Sequence, residues 1–186
     1  MIEYPKIETL LDRDPKTFKV IEGEWRLPAF AYLANLPWMW TEKVDGTNIR
    51  VIWTGVGVEF RGKTDAATIP PFLTVKLREK FPQELFQGLY PDTPMCLYGE
   101  GFGAKIQKGG NYNPNGVDFI LFDVRIGDLW LEWNNAADIA LKLSIQCVPV
   151  LGIGTLTEAI QLARRGYNSS CWQFPAEGLV VRPAVD

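Results

Sequence analysis

Two apolar, aromatic runs flank a short polar segment that contains a lysine. The first run is Trp38-Met39-Trp40, the second is Ile49-Arg50-Val51-Ile52-Trp53, and Lys43-Val44-Asp45-Gly46-Thr47-Asn48 lies between them. β-Branched and aromatic residues suit a half-buried sheet, and a glycine near a corner supplies backbone freedom. The pattern predicts two strands that meet at a corner, with Lys43 at the end of the first.

The composition is that of an ordinary globular protein. Of the 186 residues, 47% are apolar and 22% are charged, which is typical of a chain that buries a sizeable core. We therefore predict one domain over residues 1–186. The net charge of −3 does not indicate a nucleic-acid binder, so any contact with phosphates must use a local patch of Lys and Arg.

The residue types that are scarce exclude several kinds of chemistry. The chain has no histidine, which excludes every mechanism with a histidine base. Its three cysteines, Cys96, Cys147 and Cys171, form no C-x-x-C pair, so a structural zinc site lacks ligands. The sequence shows neither a basic and apolar leader nor an apolar run of membrane-spanning length. We expect a cytoplasmic protein with reduced thiols and no membrane contact.

Charged residues recur where the later predicted strands begin or end. A strand over 56–61 ends at Arg61, and Met95-Cys96-Leu97-Tyr98 leads into Gly99-Glu100-Gly101. A carboxylate flanked by glycines allows a ligand to approach the backbone closely. The last strand, Leu179-Val180-Val181-Arg182, is entered through Glu177. These side chains are candidates for a shared cleft.

One apolar strand carries a carboxylate. The segment Phe119-Ile120-Leu121-Phe122-Asp123-Val124-Arg125 is almost wholly apolar, which predicts a strand buried on both faces. An aspartate at position 123 is costly there unless it is paired or ligated. Between residues 104 and 112 a glycine-rich loop carries Lys105, Lys108 and Tyr112. Cations, backbone freedom and an aromatic ring together suit contacts with phosphates and bases.

The remaining patterns predict helices outside the strands. We expect a short helix near Ile7–Leu11 and one or two helices over residues 72–89. Asn134 or Asn135 can cap a helix over residues 136–143, and Thr155-Leu156-Thr157-Glu158 fits a capping box. The fold class that results is α+β, with mostly antiparallel sheets forming a cleft and helices packed outside.

Five motifs, in sequence order, resemble those of the covalent nucleotidyltransferases, the superfamily of polynucleotide ligases and mRNA capping enzymes. They are Lys43-x-Asp45-Gly46, Arg61-Gly62, Leu97-Tyr98-Gly99-Glu100, Phe122-Asp123-Val124 and Glu177-Gly178-Leu179-Val180-Val181-Arg182. Thr41-Glu42-Lys43 and Gly46-Thr47-Asn48 extend the first motif. With that extension the chain is most similar to the ATP-dependent RNA ligases, in the RNA ligase 2-like branch.

The resemblance implies a role for each motif residue. Lys43 would attack the α-phosphate of ATP and carry AMP, Glu100 would hold the ribose, and Phe122 would stack on the adenine. The divalent metal, Mg²⁺ or Mn²⁺, would be bound by Glu177 with Asp123. The other implied pocket residues are Glu42 at the base edge, Asp45, Gly46 and Asn48 beside the lysine, and Arg61 at a phosphate.

The resemblance also implies a fold and a substrate. The fold would be the ATP-grasp-like nucleotidyltransferase domain of ligases, with the nucleotide in its cleft. The substrate would be RNA ends or a nicked duplex, bound by a monomer, with Lys105, Lys108 and Tyr112 contacting RNA phosphates and bases.

Three alternatives remain open from the sequence. Two are enzymes, a GTP-dependent capping-type guanylyltransferase and a DNA ligase core. The third is a nucleotide- or RNA-end-binding module without turnover. In its favour, the family pattern continues to a K-x-K motif, and no Lys-x-Lys triplet occurs in this chain. We accordingly expect the domain to lack its C-terminal end.

Overall fold

A computed structural model describes residues 2–107, 112–172 and 174–184. The chain divides into two compact units, the first formed by Met1–Tyr4 with Val44–Val148 and the second by Pro5–Lys43 with Pro149–Asp186. In chain order the elements are β1 (Leu11–Arg13), β2 (Val20–Trp25), α1 (Pro28–Tyr32), β3 (Trp38–Lys43), β4 (Thr47–Trp53), β5 (Val58–Arg61), α2 (Pro71–Lys80), α3 (Gln83–Leu89), β6 (Met95–Gly103), β7 (Val117–Ile126), β8 (Leu129–Trp130), α4 (Trp133–Lys142), β9 (Gln146–Cys147), β10 (Val150–Gly154), α5 (Leu156–Arg165) and β11 (Gly178–Pro183).

The first unit is built on a six-stranded sheet in the order β5-β4-β6-β7-β8, with β9 paired to β7. All pairs are antiparallel except β7 with β9. The apolar core lies on one face, because alternate residues of a strand point the same way. Helices α2, α3 and α4 supply the covering side chains. Fully buried members of this core are Ile49, Val51, Trp53, Leu73, Leu77, Phe86, Leu97, Leu121 and Val124.

The opposite face of this sheet is polar and aromatic. On β4 the residues between the core positions are Asn48, Arg50 and Ile52. Ile52 belongs to a small second cluster with Cys96 and Tyr98, against which other aromatic rings pack. The predicted site residues of β4 and β6 therefore share one face, away from the main core.

A β-bulge in β7 lies at a predicted site residue. In the pairing with β6, Asp123 faces Tyr98 and Leu121 faces Gly99, so Phe122 is the additional residue. A bulge of this kind re-aims side chains. As a result Leu121 and Val124 both enter the core, while Phe122 and Asp123 both lie on the polar face.

The second unit contains a three-stranded antiparallel sheet in the order β10-β3-β11 and the hairpin β1-β2. Helix α5 begins with a capping box, in which Thr155 accepts from the Glu158 amide and Glu158 accepts from the Thr155 amide. Its first residue, Leu156, is fully buried and packs in a cluster with Trp38 and Ala34. The sheet that carries Lys43 is thus fixed from one side by a well-capped helix.

The predicted fold class is confirmed: the chain is α+β with mostly antiparallel sheets, and the capping box is present. Two local predictions are wrong. Leu11 belongs to a strand rather than a helix, because it pairs with Trp25 of β2. Helix α4 begins at Trp133, and Glu132 precedes it without a side-chain cap, so neither Asn134 nor Asn135 is the cap. None of the helices within the described ranges is long and apolar enough to span a bilayer.

The close packing around β6 gives a test of the fold. A Cβ added to Gly99 would lie 2.2 Å from Phe119 Cζ and 2.4 Å from the Ile120 carbonyl oxygen. We expect Gly99→Ala to lower the free energy of unfolding by about 3 kcal/mol, because overpacking forces the β6–β7 backbone apart. Urea unfolding followed by tryptophan fluorescence measures this.

Gly88→Ala is the matched control for this prediction. A Cβ at Gly88 of α3 meets nothing within 4 Å, so the same substitution should stabilise the protein by roughly 0.5 kcal/mol through helix propensity. Equal urea concentrations at the midpoint of unfolding for the two variants would contradict the tight β6–β7 packing.

Candidate active site

The candidate nucleophile lies at the paired ends of two strands. Lys43 is the last residue of β3 and faces Gly178, the first residue of β11. Its Nζ forms an ion pair with the Glu177 carboxylate, 134 positions away in the sequence. The lysine side chain is 49% exposed and the glutamate 37%, so both remain accessible to a ligand. The structure therefore brings together residues from the first and the last of the five motifs.

A tyrosine that the sequence analysis did not select supports this corner. The Tyr167 hydroxyl donates a hydrogen bond to the Gly178 carbonyl oxygen at 2.5 Å. Lys43 and Glu177 are among the residues that line a cavity of 720 Å³ in the second unit, whose walls are largely apolar. The pair therefore borders a cavity as well as the solvent.

Glu42 is a buried carboxylate with an unused acceptor. The residue is 1% exposed, and its Oε2 accepts a hydrogen bond from the Ser170 amide at 3.3 Å. Its Oε1 is buried and has no hydrogen-bond partner within the described part of the chain. Burying an unsatisfied carboxylate oxygen costs free energy, and such groups in a native structure call for an explanation, a binding or catalytic role among them.

In the first unit, Asn48 and Glu100 lie directly opposite each other on β4 and β6. Asn48 Oδ1 is buried and has no partner among the residues described, and Glu100 is half-buried. Two acceptor-bearing side chains therefore lie side by side on neighbouring strands of the polar face.

Gly46 has a steric role rather than the conformational one expected from the sequence. Its φ angle is not in the left-handed region, unlike those of the glycines that need that freedom. A Cβ at this position would lie 2.3 Å from the Gly101 carbonyl oxygen. Gly46 thus lets the segment after the lysine, including the half-buried Asp45, approach β6 closely.

Phe122 and Asp123 are both contacted by Tyr4, which the sequence analysis missed. The Tyr4 and Phe122 rings pack edge to face with centroids 5.0 Å apart, and the Tyr4 hydroxyl donates to Asp123 Oδ2 at 2.9 Å. Asp123 is 7% exposed and also accepts from the Val124 amide. The buried aspartate is therefore paired, as its apolar surroundings require. No local pattern distinguishes Tyr4, because Phe122 and Asp123 lie more than 110 residues away in the sequence.

The residues predicted to contact phosphates or bases of the substrates differ in their exposure and in their partners. Arg61 ends β5 and forms an ion pair with Glu59 at 3.0 Å. Lys105 is exposed. Tyr112 is 5% exposed and its ring packs against Phe102 with centroids 6.0 Å apart, so the expected stacking on a base is not available to it in this conformation. Lys108 lies outside the described residues.

No preformed metal centre occurs in the parts of the chain that the structure describes. They contain no group of three or more His, Cys, Asp or Glu side chains that could hold a metal ion. The two predicted ligands, Glu177 and Asp123, belong to different units. In proteins Mg²⁺ is commonly bound through one or two carboxylates together with phosphate and water oxygens.

Comparison with known proteins assigns the chain to a family. The family model for RNA ligase matches residues 36–186, so this chain belongs to the RNA ligase family. Its fold is similar to part of a solved Naegleria gruberi RNA ligase. A lysine variant with ATP and Mn has a TM-score of 0.70 at 22% identity, covering 97% of this chain and 58% of that one.

Two further structures of the same ligase give similar values. The complex with PPi has a TM-score of 0.68 at 20% identity, covering 97% of this chain and 58% of that one. Another variant with AMP and Mn has a TM-score of 0.68 at 21% identity, covering 84% and 49%. This chain thus spans about half the length of those ligases. No curated protein matches it.

The buried carboxylate of Glu42 generates a stability prediction. Glu42→Gln keeps the size of the side chain and removes its charge. We expect the free energy of unfolding to rise by about 1 kcal/mol, because a neutral amide is less costly to bury than a carboxylate with a free oxygen. Thermal unfolding of both proteins at pH 7 measures the difference.

Glu24→Gln serves as the control, since Glu24 is exposed on β2 and its replacement should change stability by less than about 0.5 kcal/mol. A Glu42→Gln protein less stable than the parent would mean that the carboxylate is fully satisfied in the native protein.

Proposed function

We propose that this chain is the adenylyltransferase domain of an ATP-dependent RNA ligase, with Lys43 as the nucleophile. The observation that carries the proposal is the contact between Lys43 and Glu177 at the paired ends of β3 and β11, in a chain of the RNA ligase family. Both residues stand at the positions of the family's motifs and both are accessible.

The first step forms a bond between the lysine and AMP. Lys43 Nζ attacks the α-phosphorus of ATP, a P–N bond forms, and the P–O bond to pyrophosphate breaks. The amine is a nucleophile only as the free base, so a proton must leave Nζ. Glu177 Oε1 contacts Nζ directly. In our proposal it either accepts that proton or moves away from Nζ when the nucleotide binds, which frees the amine.

Glu42 is the proposed contact to the edge of the base. Glu42 Oε1 is a buried acceptor, and it requires a hydrogen-bond donor from the ligand. The 6-position of adenine carries an amino group, whereas that of guanine carries a carbonyl oxygen, which would repel the carboxylate. In our proposal Glu42 accepts from the 6-amino group of adenine; guanine also offers donors at N1 and N2, so labelling with ATP and GTP decides between the two bases.

The other pocket residues have chemically matched roles in the proposal. Glu100 accepts from a ribose hydroxyl, with Asn48 opposite it on the same sheet face. Phe122 offers its ring to the adenine, held at its edge by Tyr4, and Asp45 and Gly46 shape the approach to the lysine. Arg61 contacts a phosphate once its guanidinium leaves Glu59.

A divalent ion, Mg²⁺ or Mn²⁺, completes the site in our proposal, and the Naegleria gruberi structures with ATP or AMP contain Mn. Glu177 suits it better than Asp123. The Glu177 carboxylate is 37% exposed, whereas Asp123 is 7% exposed and already accepts from Tyr4. When bound, the ion neutralises charge that accumulates on the phosphate oxygens.

The later steps involve RNA. AMP passes from Lys43 to an RNA 5′-phosphate, and a 3′-hydroxyl then displaces AMP to seal the strand. RNA ends or a nicked duplex are the proposed substrates, with Lys105 as a phosphate contact, and RNA repair by a cytoplasmic monomer is the proposed setting. The three cysteines are free, which agrees with a reducing compartment.

Labelling with ATP tests the proposal. The chain incubated with [α-³²P]ATP and Mg²⁺ or Mn²⁺ should retain label on a denaturing gel. Lys43→Ala should abolish the label, because the attacking amine is removed, and Glu177→Gln should reduce its rate of formation by about tenfold or more. Lys19→Ala, which removes an exposed lysine of the second unit, should label like the parent.

Other outcomes of the same assay support the alternatives. Label from GTP alone would indicate a capping-type guanylyltransferase. ATP binding without covalent label would indicate a binding module without turnover. If label forms, sealing of a nicked DNA but not of a nicked RNA would indicate a DNA ligase core.

A further inference from the structure

Arg50 is a charged side chain completely removed from water. It lies in the middle of β4 and is 0% exposed. Its neighbours along the strand, Ile49 and Val51, point into the main core, so Arg50 lies on the polar face that carries Asn48 and Glu100. An arginine stays charged in proteins, and burying it is costly unless its hydrogen bonds are satisfied.

Within the described part of the chain, the Arg50 guanidinium forms its hydrogen bonds with one loop. Nε donates to the Gly62 carbonyl oxygen at 2.9 Å and Nη2 donates to Asp65 Oδ1 at 2.7 Å. Nη1 is buried and has no partner among the described residues. The side chain thus connects the centre of a buried strand to the backbone and side chain of residues 62–65.

This loop has few other anchors. Gly62 is buried, whereas residues 63–68 are exposed, and the Asp65 side chain is 73% exposed. Other hydrogen bonds run from the Ala67 amide to the Thr64 carbonyl oxygen at 3.1 Å and from the Asp65 amide to Glu3 at 3.2 Å. Among the described residues, Arg50 is therefore the only fully buried side chain that forms hydrogen bonds with this loop.

The loop begins directly after Arg61. Arg61 ends β5, and it faces Arg50 in the pairing of β4 with β5. Residues that face each other across an antiparallel pair point to the same side of the sheet, and β5 is an edge strand with no other neighbour in the described sheet. The backbone of Arg61 is therefore held by its pairing with β4 and is followed directly by the loop that Arg50 holds, while its guanidinium pairs with Glu59.

We infer that Arg50 is a positioning residue for Arg61: by holding residues 62–65 it fixes the backbone at the end of β5, from which the Arg61 guanidinium reaches a phosphate group once it leaves Glu59. The phosphate contact of Arg61 belongs to the proposed function, and the inference about Arg50 rests on it. A lysine at position 50 keeps the charge but lacks the planar fork that reaches Gly62 and Asp65 together.

The test combines a structural readout with binding of pyrophosphate. In Arg50→Lys, amide hydrogen exchange over residues 62–67 should become faster, while exchange over β6 stays unchanged. Isothermal titration calorimetry with pyrophosphate should show binding weakened by about fivefold or more, as in Arg61→Ala. The double variant should bind no more weakly than Arg61→Ala alone, because one residue acts through the other.

Two further variants keep the test decisive. Asp65→Asn removes the ion pair at an exposed position and should loosen the same loop and weaken pyrophosphate binding in the same direction, even if Arg50→Lys folds poorly. Arg165→Lys, an exposed position in α5, is the control and should match the parent in both measurements.

Several results would overturn the inference. They are pyrophosphate binding by Arg50→Lys and Asp65→Asn equal to that of the parent, additive losses in the double variant, or no pyrophosphate binding by the parent. Failure of the proposed function looks different, since the parent would then form no covalent label from ATP while the effects on the loop and on pyrophosphate binding persist.

Discussion

The pairing of β3 with β11 is the interaction on which the candidate site depends. The two strands form six residue pairs, from Trp38 with Pro183 to Lys43 with Gly178. This register places Glu177 one residue beyond the last pair, where its carboxylate meets Lys43. A slip of one residue would turn the side chains of β11 to the opposite face. The packing of Val181 with Trp38 and Trp40 in one cluster therefore fixes the geometry of the candidate nucleophile from several residues away.

In the first unit, one face of the main sheet forms the apolar core and the other face carries polar side chains of the candidate site. One face of β4 buries Ile49, Val51 and Trp53 in the core, and the other presents Asn48 and the buried Arg50. Polar groups left without partners on that second face reduce stability. Such groups are tolerated because the core on the other face is extensive.

The parts of the fold and site that could be predicted are those with a local pattern. The alternation around Lys43, the glycines beside Glu100 and the capping box at Thr155 each identify an element from adjacent residues. The site residues missed, Tyr4, Arg50 and Tyr167, act through partners that only the tertiary fold brings close. The bulge at Phe122 depends on the register with β6, and Leu11 forms a strand because β2 is available to pair with it.

The central claim is that Lys43 forms a covalent bond with AMP. The most direct measurement is peptide mapping by mass spectrometry after incubation of the chain with ATP and Mn²⁺. We expect AMP on the peptide that contains Lys43, with fragment ions that place it on that side chain. AMP on a different lysine, or no modified peptide under conditions in which ATP is bound, would contradict it.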